Sequence, residues 1–93
     1  MLKVNQYFNG AIKSISFTHN TTPASIGVMA PGEYTFTTSS AEVMHIISGS
    51  AEVKLATTGH WSSVAAGTHF TVAANSSFLI KITTDTAYLC EYC

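Results

Sequence analysis

The chain has 93 residues with a formal net charge of −1; 46% are hydrophobic and 10% charged. That hydrophobic share supports a packed core, the length allows only one domain, and the scarcity of charge leaves Ser, Thr and Asn to cover much of the surface. The only cations besides histidine are Lys3, Lys13, Lys54 and Lys81, scattered and without a single arginine, which excludes a basic groove for nucleic acid.

In chain order, Ala11 to Phe17 reads as a strand with Ile15 and Phe17 on one face, and Thr18 to Pro23 breaks it. Ala24 to Ala30 is a second strand, with Ile26 and Val28 on one side. Pro31-Gly32 turns the chain into Glu33 to Thr37, where Tyr34 and Phe36 share a face. The polar corner Thr38-Ser39-Ser40 leads to a strand that opens at Glu42 and continues as the apolar run Val43 to Ile47, interrupted by His45. Beyond Ser48-Gly49 the alternation Ala51, Val53, Leu55 is clean, so these two strands are expected to form a hairpin.

Thr57-Thr58-Gly59 is a loop, followed by a short segment at Trp61 to Val64 and a turn at Gly67. Phe70 and Val72 alternate beyond it, Ala74 to Ser77 turns again, and Phe78, Ile80 and Ile82 mark the next strand. The last strand, Ala87 to Tyr92, sets Tyr88, Cys90 and Tyr92 on one face and Leu89 and Glu91 on the other. Turn signals recur every ~8–12 residues, the spacing of an all-β sandwich or barrel, and no stretch carries a helical period.

No apolar run reaches the ~20 residues needed to cross a bilayer. The opening MLKVNQYFNG lacks the apolar segment and cleavage site of a secretion signal, so a cytoplasmic location and no membrane contact are expected. Cys90 and Cys93 form a C-x-x-C, but three residues apart in a strand they point to opposite faces, and they read as two ordinary reduced thiols.

Glu42 stands out as the carboxylate that opens an otherwise apolar strand, placed at or inside the mouth of the barrel. Its plain reading is a cap on the Ser39-Ser40 corner, and that of Tyr34, Phe36, Phe70 and Phe78 is core, since each aromatic buries ~150–250 Å². Met29 and Met44 read as core fillers, and Trp61 beside His60 as surface packing or a subunit contact.

Glu42 and Gly49 have the separation found in the first motif of a cupin, and Gly67 falls where the second would begin. The frame resembles a cupin-like jelly-roll β-barrel spanning residues 1–93 as a single domain. His19, His45, His60 and His69 all miss the motif's ligand positions, so no bound metal is expected.

A closer resemblance rests on Asn5 to Gly10, Ser25-Ile26-Gly27-Val28-Met29, Gly32-Glu33-Tyr34-Thr35-Phe36, Glu42 to Gly49, Ala66-Gly67 with Phe70, and Tyr88-Leu89-Cys90 with Tyr92. Together these resemble the small bacterial pyrimidine/purine nucleoside phosphorylase family over nearly the whole chain. The resemblance implies phosphorolysis of purine and pyrimidine nucleosides to a free base and a pentose 1-phosphate, without metal or organic cofactor; a homodimer is expected separately, because so small a barrel leaves sheet edges and apolar surface to cover. For that chemistry Glu42 is expected to accept hydrogen bonds from the ribose hydroxyls and favour the positive charge developing on the sugar, with Tyr34 beside it in the catalytic set.

Tyr34, Phe36, Phe70, Phe78, Tyr88 and Tyr92 are the candidates for stacking the base. Family members often carry arginine where this chain has Pro23 and Glu91. Inorganic phosphate is therefore left to backbone N–H groups in the Gly32 and Gly49 turns, to the hydroxyls of Thr35, Thr37, Thr38 and Ser48, and to a distant lysine. The rival reading is a binding protein without catalysis that uses the same aromatic cavity for a nucleoside or a sugar.

Overall fold

A computed structural model describes residues 2–93. The order of elements is β1 (Lys3–Tyr7), β2 (Ile12–His19), β3 (Thr22–Met29), β4 (Gly32–Thr37), β5 (Glu42–Ser48), β6 (Ser50–Leu55), β7 (Trp61–Ala65), β8 (His69–Val72), β9 (Ser77–Ile82) and β10 (Thr86–Tyr92). They form a six-stranded sheet in the order β1-β2-β3-β10-β5-β8 and a four-stranded sheet in the order β4-β9-β6-β7, with every pairing antiparallel. This is the expected jelly roll, although among the described residues no ladder joins the two sheets into a closed barrel.

The core lies between the sheets, where alternation along each strand sends one set of side chains inward. Ile12, Met29, Met44, Ile46 and Tyr88 from the larger sheet meet Tyr34, Val53, Phe78, Ile80 and Ile82 from the smaller. At about 25 cal/mol per Å² of apolar area, burial of these side chains is the main favourable term in folding. The inward face also carries hydroxyls: Ser14 and Ser25 are buried beside this core.

Two expectations need correction. Ser48-Gly49-Ser50 does not close a hairpin, because β5 pairs with β10 and β8 while β6 pairs with β7 and β9. The chain instead crosses from one sheet to the other. Gly49 makes the crossing possible, since its φ is +87° and a Cβ there would sit 2.5 Å from Thr86 Oγ1 and 2.8 Å from the Asp85 carbonyl. Thr86 Oγ1 fastens the same corner by donating to the Ser50 carbonyl at 3.1 Å.

The expected break over Thr18 to Pro23 shrinks to Asn20-Thr21, whose φ angles of 50° and 65° turn β2 straight into β3. β1, which the hydrophobic pattern does not announce, pairs with β2 as an edge strand. The shared faces of Ile15 with Phe17 and of Ile26 with Val28 point outward, where Val28 is 50% exposed.

Candidate functional site

Between the sheets lies a cavity of about 210 Å³ lined by Tyr7, Phe36, Thr37, Glu42, Met44, Phe78, Tyr88, Cys90 and Tyr92. This is below the ~300–1,000 Å³ of a pocket that engulfs a drug-sized ligand. Its two walls differ in chemistry. The four-stranded sheet contributes Phe36 and Phe78, whose rings stack at 5.3 Å with 19° between their planes. The six-stranded sheet contributes the carboxylate, the thiol and the phenols.

Register explains the polar wall. Tyr92 lies opposite Glu42 and Cys90 opposite Met44 in the β10–β5 ladder, so alternation along both strands brings all four to the same side. The Cys90 thiol donates to Glu42 Oε1 at 3.5 Å, within the longer reach of a sulfur donor. The Tyr92 and Ser25 hydroxyls share a hydrogen bond of 2.9 Å.

Partial burial raises the Glu42 carboxyl above its usual range, and the thiol's hydrogen bond pulls it part of the way back. Burial, assisted by the nearby carboxylate, pushes the Cys90 thiol far up and keeps it protonated. The Tyr88 phenol is raised to about 12, first by burial, against the influence of the Ser14 hydroxyl. Tyr92 is raised by burial too, opposed by Ser25. Near neutral pH this wall therefore presents neutral O–H and S–H groups around one carboxyl.

Of the residues singled out from the sequence, Phe36, Thr37, Glu42, Phe78, Tyr88 and Tyr92 meet at this cavity. Tyr34, Thr35, Thr38, Ser48 and Phe70 do not line it. The buried Tyr34 donates its hydroxyl to the Ala30 carbonyl at 2.6 Å, tying down the turn before β4, and its ring meets Phe8 at 5.0 Å. Thr35 lies on the outer side, bounding a separate hollow with Lys54 and Leu79.

Thr38 is buried, donating to the Ala73 carbonyl at 2.7 Å and accepting from the Ser76 N–H at 3.0 Å. Ser48 is exposed at the corner before Gly49. Phe70, opposite Met44 in the β5–β8 ladder, packs edge-on against Phe78 from the facing sheet, with centroids 5.6 Å apart. Tyr7, Met44 and Cys90 line the cavity as well, although from the sequence Met44 reads as core, Cys90 as an ordinary thiol and Tyr7 as nothing in particular. For Cys90 the signal lay in β10, whose alternation sets it between Tyr88 and Tyr92.

The donor set does not fit a metal ion. Glu42 and Cys90 are the only acidic or thiol side chains lining the cavity, with no histidine, and among the described residues no group of three or more His, Cys, Asp or Glu is placed to hold one. His45 lies on the outer face, 2.6 Å from Glu91 Oε1 and with its ring 5.4 Å from that of His69. Another hollow, of about 200 Å³ and bounded by Ser50, Glu52, Ser63, Lys81 and Thr83 among others, has no aromatic wall. No helix among the described residues is long and apolar enough to cross a membrane.

Comparison with known proteins places this geometry. A family model described as "Pyrimidine/purine nucleoside phosphorylase" matches residues 2–92. Proteins of that name from Pseudomonas entomophila (strain L48) and Pseudomonas aeruginosa (strain LESB58) are 53% and 54% identical over 92 residues, covering 99% of this chain and 98% and 99% of their own lengths. A crystal structure of a protein of unknown function from Vibrio parahaemolyticus superposes with a TM-score of 0.95 at 42% identity, covering 100% of this chain and 99% of the other. An RmlC-like cupin from Shewanella frigidimarina, 16% identical, superposes with a TM-score of 0.77 over 99% of this chain and 83% of its own, a likeness of fold alone.

Proposed function

The chain belongs to the pyrimidine/purine nucleoside phosphorylase family, and from that membership and the cavity's two unlike walls we propose that it cleaves nucleosides between Glu42 and the Phe36–Phe78 stack. It is a nucleoside phosphorylase of broad purine and pyrimidine specificity, converting a nucleoside and inorganic phosphate to a free base and a pentose 1-phosphate. As a pentosyltransferase it works with no metal and no organic cofactor, in the cytoplasm.

The observation that carries this reading is a carboxylate facing an aromatic stack across one cavity. Phosphorolysis breaks the bond from C1′ to the base nitrogen while a phosphate oxygen forms a bond to C1′. The bonding pair leaves with the base, and the proton of monohydrogen phosphate ends on the base nitrogen. Between the two events the sugar is positively charged.

Glu42 lies where it can accept hydrogen bonds from the ribose hydroxyls and oppose that charge. Phe36 and Phe78 offer ring faces that discriminate little between purine and pyrimidine, and the phenols of Tyr88 and Tyr92 border the ring between them. Thr37 lies at the mouth. Tyr34 and Thr38 support the site from outside it, through the turn before β4 and the crossing after it.

The outward face of the six-stranded sheet presents Val4, Ile15, Ile26, Val28 and Ile47, and we assign it to contact with a second copy in a homodimer. Ile26→Lys should then shift a dimer towards monomer in sedimentation velocity.

The test of the activity is incubation of metal-free protein with a panel of nucleosides, with and without inorganic phosphate, followed by chromatography. Free base and pentose 1-phosphate appearing only with phosphate is the expected result. The absence of arginine favours the rival, a binding protein; nucleoside binding without release under either condition would establish that instead.

A further inference from the structure

The hydroxyls nearest in sequence to Glu42 largely leave the cavity, Thr38 bonding the Ala73 carbonyl and Thr35 lying on the outer side, so phosphate needs other donors. In a β-nucleoside the base lies on one face of the ribose and the 2′- and 3′-hydroxyls on the other, so in-line displacement brings phosphate in from the hydroxyl face. A carboxylate gripping those hydroxyls therefore has the phosphate as its neighbour on its own wall, with the base on the wall opposite.

That wall is the six-stranded sheet, and one row across it runs Lys3, Ser16, Ser25, Cys90, Met44 in consecutive register. Cys90 and Met44 line the cavity, so the row leads out of it, strand by strand at ~4.8 Å spacing, to the edge at β1. Lys3 is the one lysine on the inward side. Lys13 lies between the buried Ile12 and Ser14 and so faces out, Lys81 lies between the buried Ile80 and Ile82 with its ammonium 4.1 Å from the Trp61 ring centroid, and Lys54 follows the buried Val53 opposite Trp61. Lys3 instead alternates in step with Asn5, which bonds the inward Ser14 and Ser16, and with Tyr7, which lines the cavity.

The hydrogen-bond arithmetic along the row leaves hydrogens to spare. Asn5 Nδ2 donates to Ser16 Oγ at 2.9 Å, so the Ser16 oxygen is accepting and its own O–H finds no acceptor among the described residues. Ser25 and Tyr92 share one bond of 2.9 Å between two hydroxyls, so the second hydrogen is held at most by the weakly accepting Cys90 sulfur beside Tyr92 and can turn to a stronger acceptor. With the three N–H groups of Lys3, the row is a surplus of donors beside a single carboxylate, which suits an anion that only accepts.

We propose that inorganic phosphate binds on the inner face of β1, β2 and β3, held by Lys3, Ser16 and the Ser25–Tyr92 hydroxyl pair, next to the ribose on Glu42. This rests on the phosphorylase reading above. It places the cation on an edge strand of the opposite sheet from the Gly32 turn and away from the Gly49 corner.

The test compares KM for inorganic phosphate and KM for nucleoside in Lys3→Met, Lys3→Arg, Ser16→Ala and, as a control on the outer face, Lys54→Met. Removing one exposed charge-assisted contact should raise the phosphate KM about fivefold in Lys3→Met, leaving the nucleoside KM within about twofold. Ser16→Ala should move the phosphate KM in the same direction. Lys3→Arg should keep it near wild type or lower it, and Lys54→Met should leave both unchanged.

Thermal unfolding at rising inorganic phosphate gives a readout free of turnover. The wild type should gain stability with phosphate, as a ligand of the folded state does, and Lys3→Met should gain less. Wild-type turnover with an unchanged phosphate KM in both Lys3→Met and Ser16→Ala overturns the subsite while leaving the phosphorylase reading intact. Lys3-dependent stabilisation by phosphate in a protein that turns over no nucleoside keeps the subsite and overturns the phosphorylase reading.

Discussion

Replacing Glu42 by Gln tests the centre of the site with almost no change of shape. In the proposed site the carboxylate offers both oxygens to the ribose hydroxyls, and hydrogen bonds to a charged group contribute about 1.5–3 kcal/mol each. The amide keeps one oxygen but presents an NH₂ where the second acceptor stood, so about one such bond is lost. At 1.36 kcal/mol per tenfold, kcat/KM should fall roughly ten- to a hundredfold in Glu42→Gln, and roughly 10²–10⁴-fold in Glu42→Ala, where both are lost.

The pH dependence gives an independent check. In the proposed role the ionised form is the one that binds ribose, and burial raises the Glu42 carboxyl, so wild-type kcat/KM should fall in acid as pH drops through a value above the usual glutamate range. Glu42→Gln should lose that acid limb. Stability should move the opposite way. A carboxyl raised in the folded state costs nothing below its unfolded pKa and destabilises the fold increasingly as pH climbs through the folded one. Glu42→Gln should therefore unfold no lower than wild type at neutral pH, and the difference should vanish in acid. Steady-state phosphorolysis across pH, with unfolding followed by circular dichroism, reads all of this. A kcat/KM within twofold of wild type in Glu42→Gln, or an acid limb that survives the substitution, would refute the role.

Thr38→Val should lower stability by about 2–3 kcal/mol, because it removes the bond to the Ala73 carbonyl and leaves the Ser76 N–H without its acceptor. At about 4–8 °C per kcal/mol for a domain of this size, that is a fall in Tm of roughly 10–20 °C, with the phosphate KM unchanged in the protein that remains folded. Gly49→Ala should cost at least ~2 kcal/mol, since it combines a left-handed backbone with a contact 2.5 Å from Thr86 Oγ1, and a melt within 3 °C of wild type would contradict the corner described for β5 and β6. Cys90→Ala removes the thiol that donates to Glu42, so the carboxyl should rise further and the acid limb move to higher pH, while Cys90→Ser, with a stronger donor, should bring it back. An acid limb that stays fixed in both variants would mean that the thiol does not orient the carboxylate.

The parts of this site legible in the sequence are those written in alternation within a single strand. β4 gave Tyr34 and Phe36 a common face, and β10 gave one to Tyr88, Cys90 and Tyr92. Whether a residue on such a face reaches the cavity depends on position along the strand: Tyr34, two residues before Phe36, meets Phe8 and the turn carbonyls instead. Thr35 and Thr37 share a side of β4, yet only Thr37, where the strand ends and the chain turns towards Glu42, reaches the cavity. β1 was hidden because its five residues KVNQY hold only two hydrophobic ones, Val4 and Tyr7, and it is an edge strand with little burial to enforce a pattern. The Ser48-Gly49-Ser50 turn resembles a hairpin locally. Only its contacts with Asp85 and Thr86, far along the chain, show that it is a crossing.

The other crossing is what makes the site. Between β4 and β5 the chain leaves the four-stranded sheet at Thr37 and enters the six-stranded one at Glu42, so residues a few positions apart end on facing walls. Phe36 goes to the aromatic side and Glu42 to the polar one. The segment between them is pinned at both ends, by Thr38 to Ala73 and Ser76, and by the Cys93 N–H donating to the Ala41 carbonyl at 2.8 Å. The spacing between Phe36 and Glu42 is thus set by a fastened backbone, which, for the base and ribose proposed to sit on them, fixes geometry before substrate arrives and lowers the cost of ordering it. The proposed phosphate wall has no such fastening, because Lys3 sits on an edge strand paired only with β2. Loss of activity from substitutions there should accordingly appear in the phosphate KM, and loss from substitutions at the crossing in stability and kcat together.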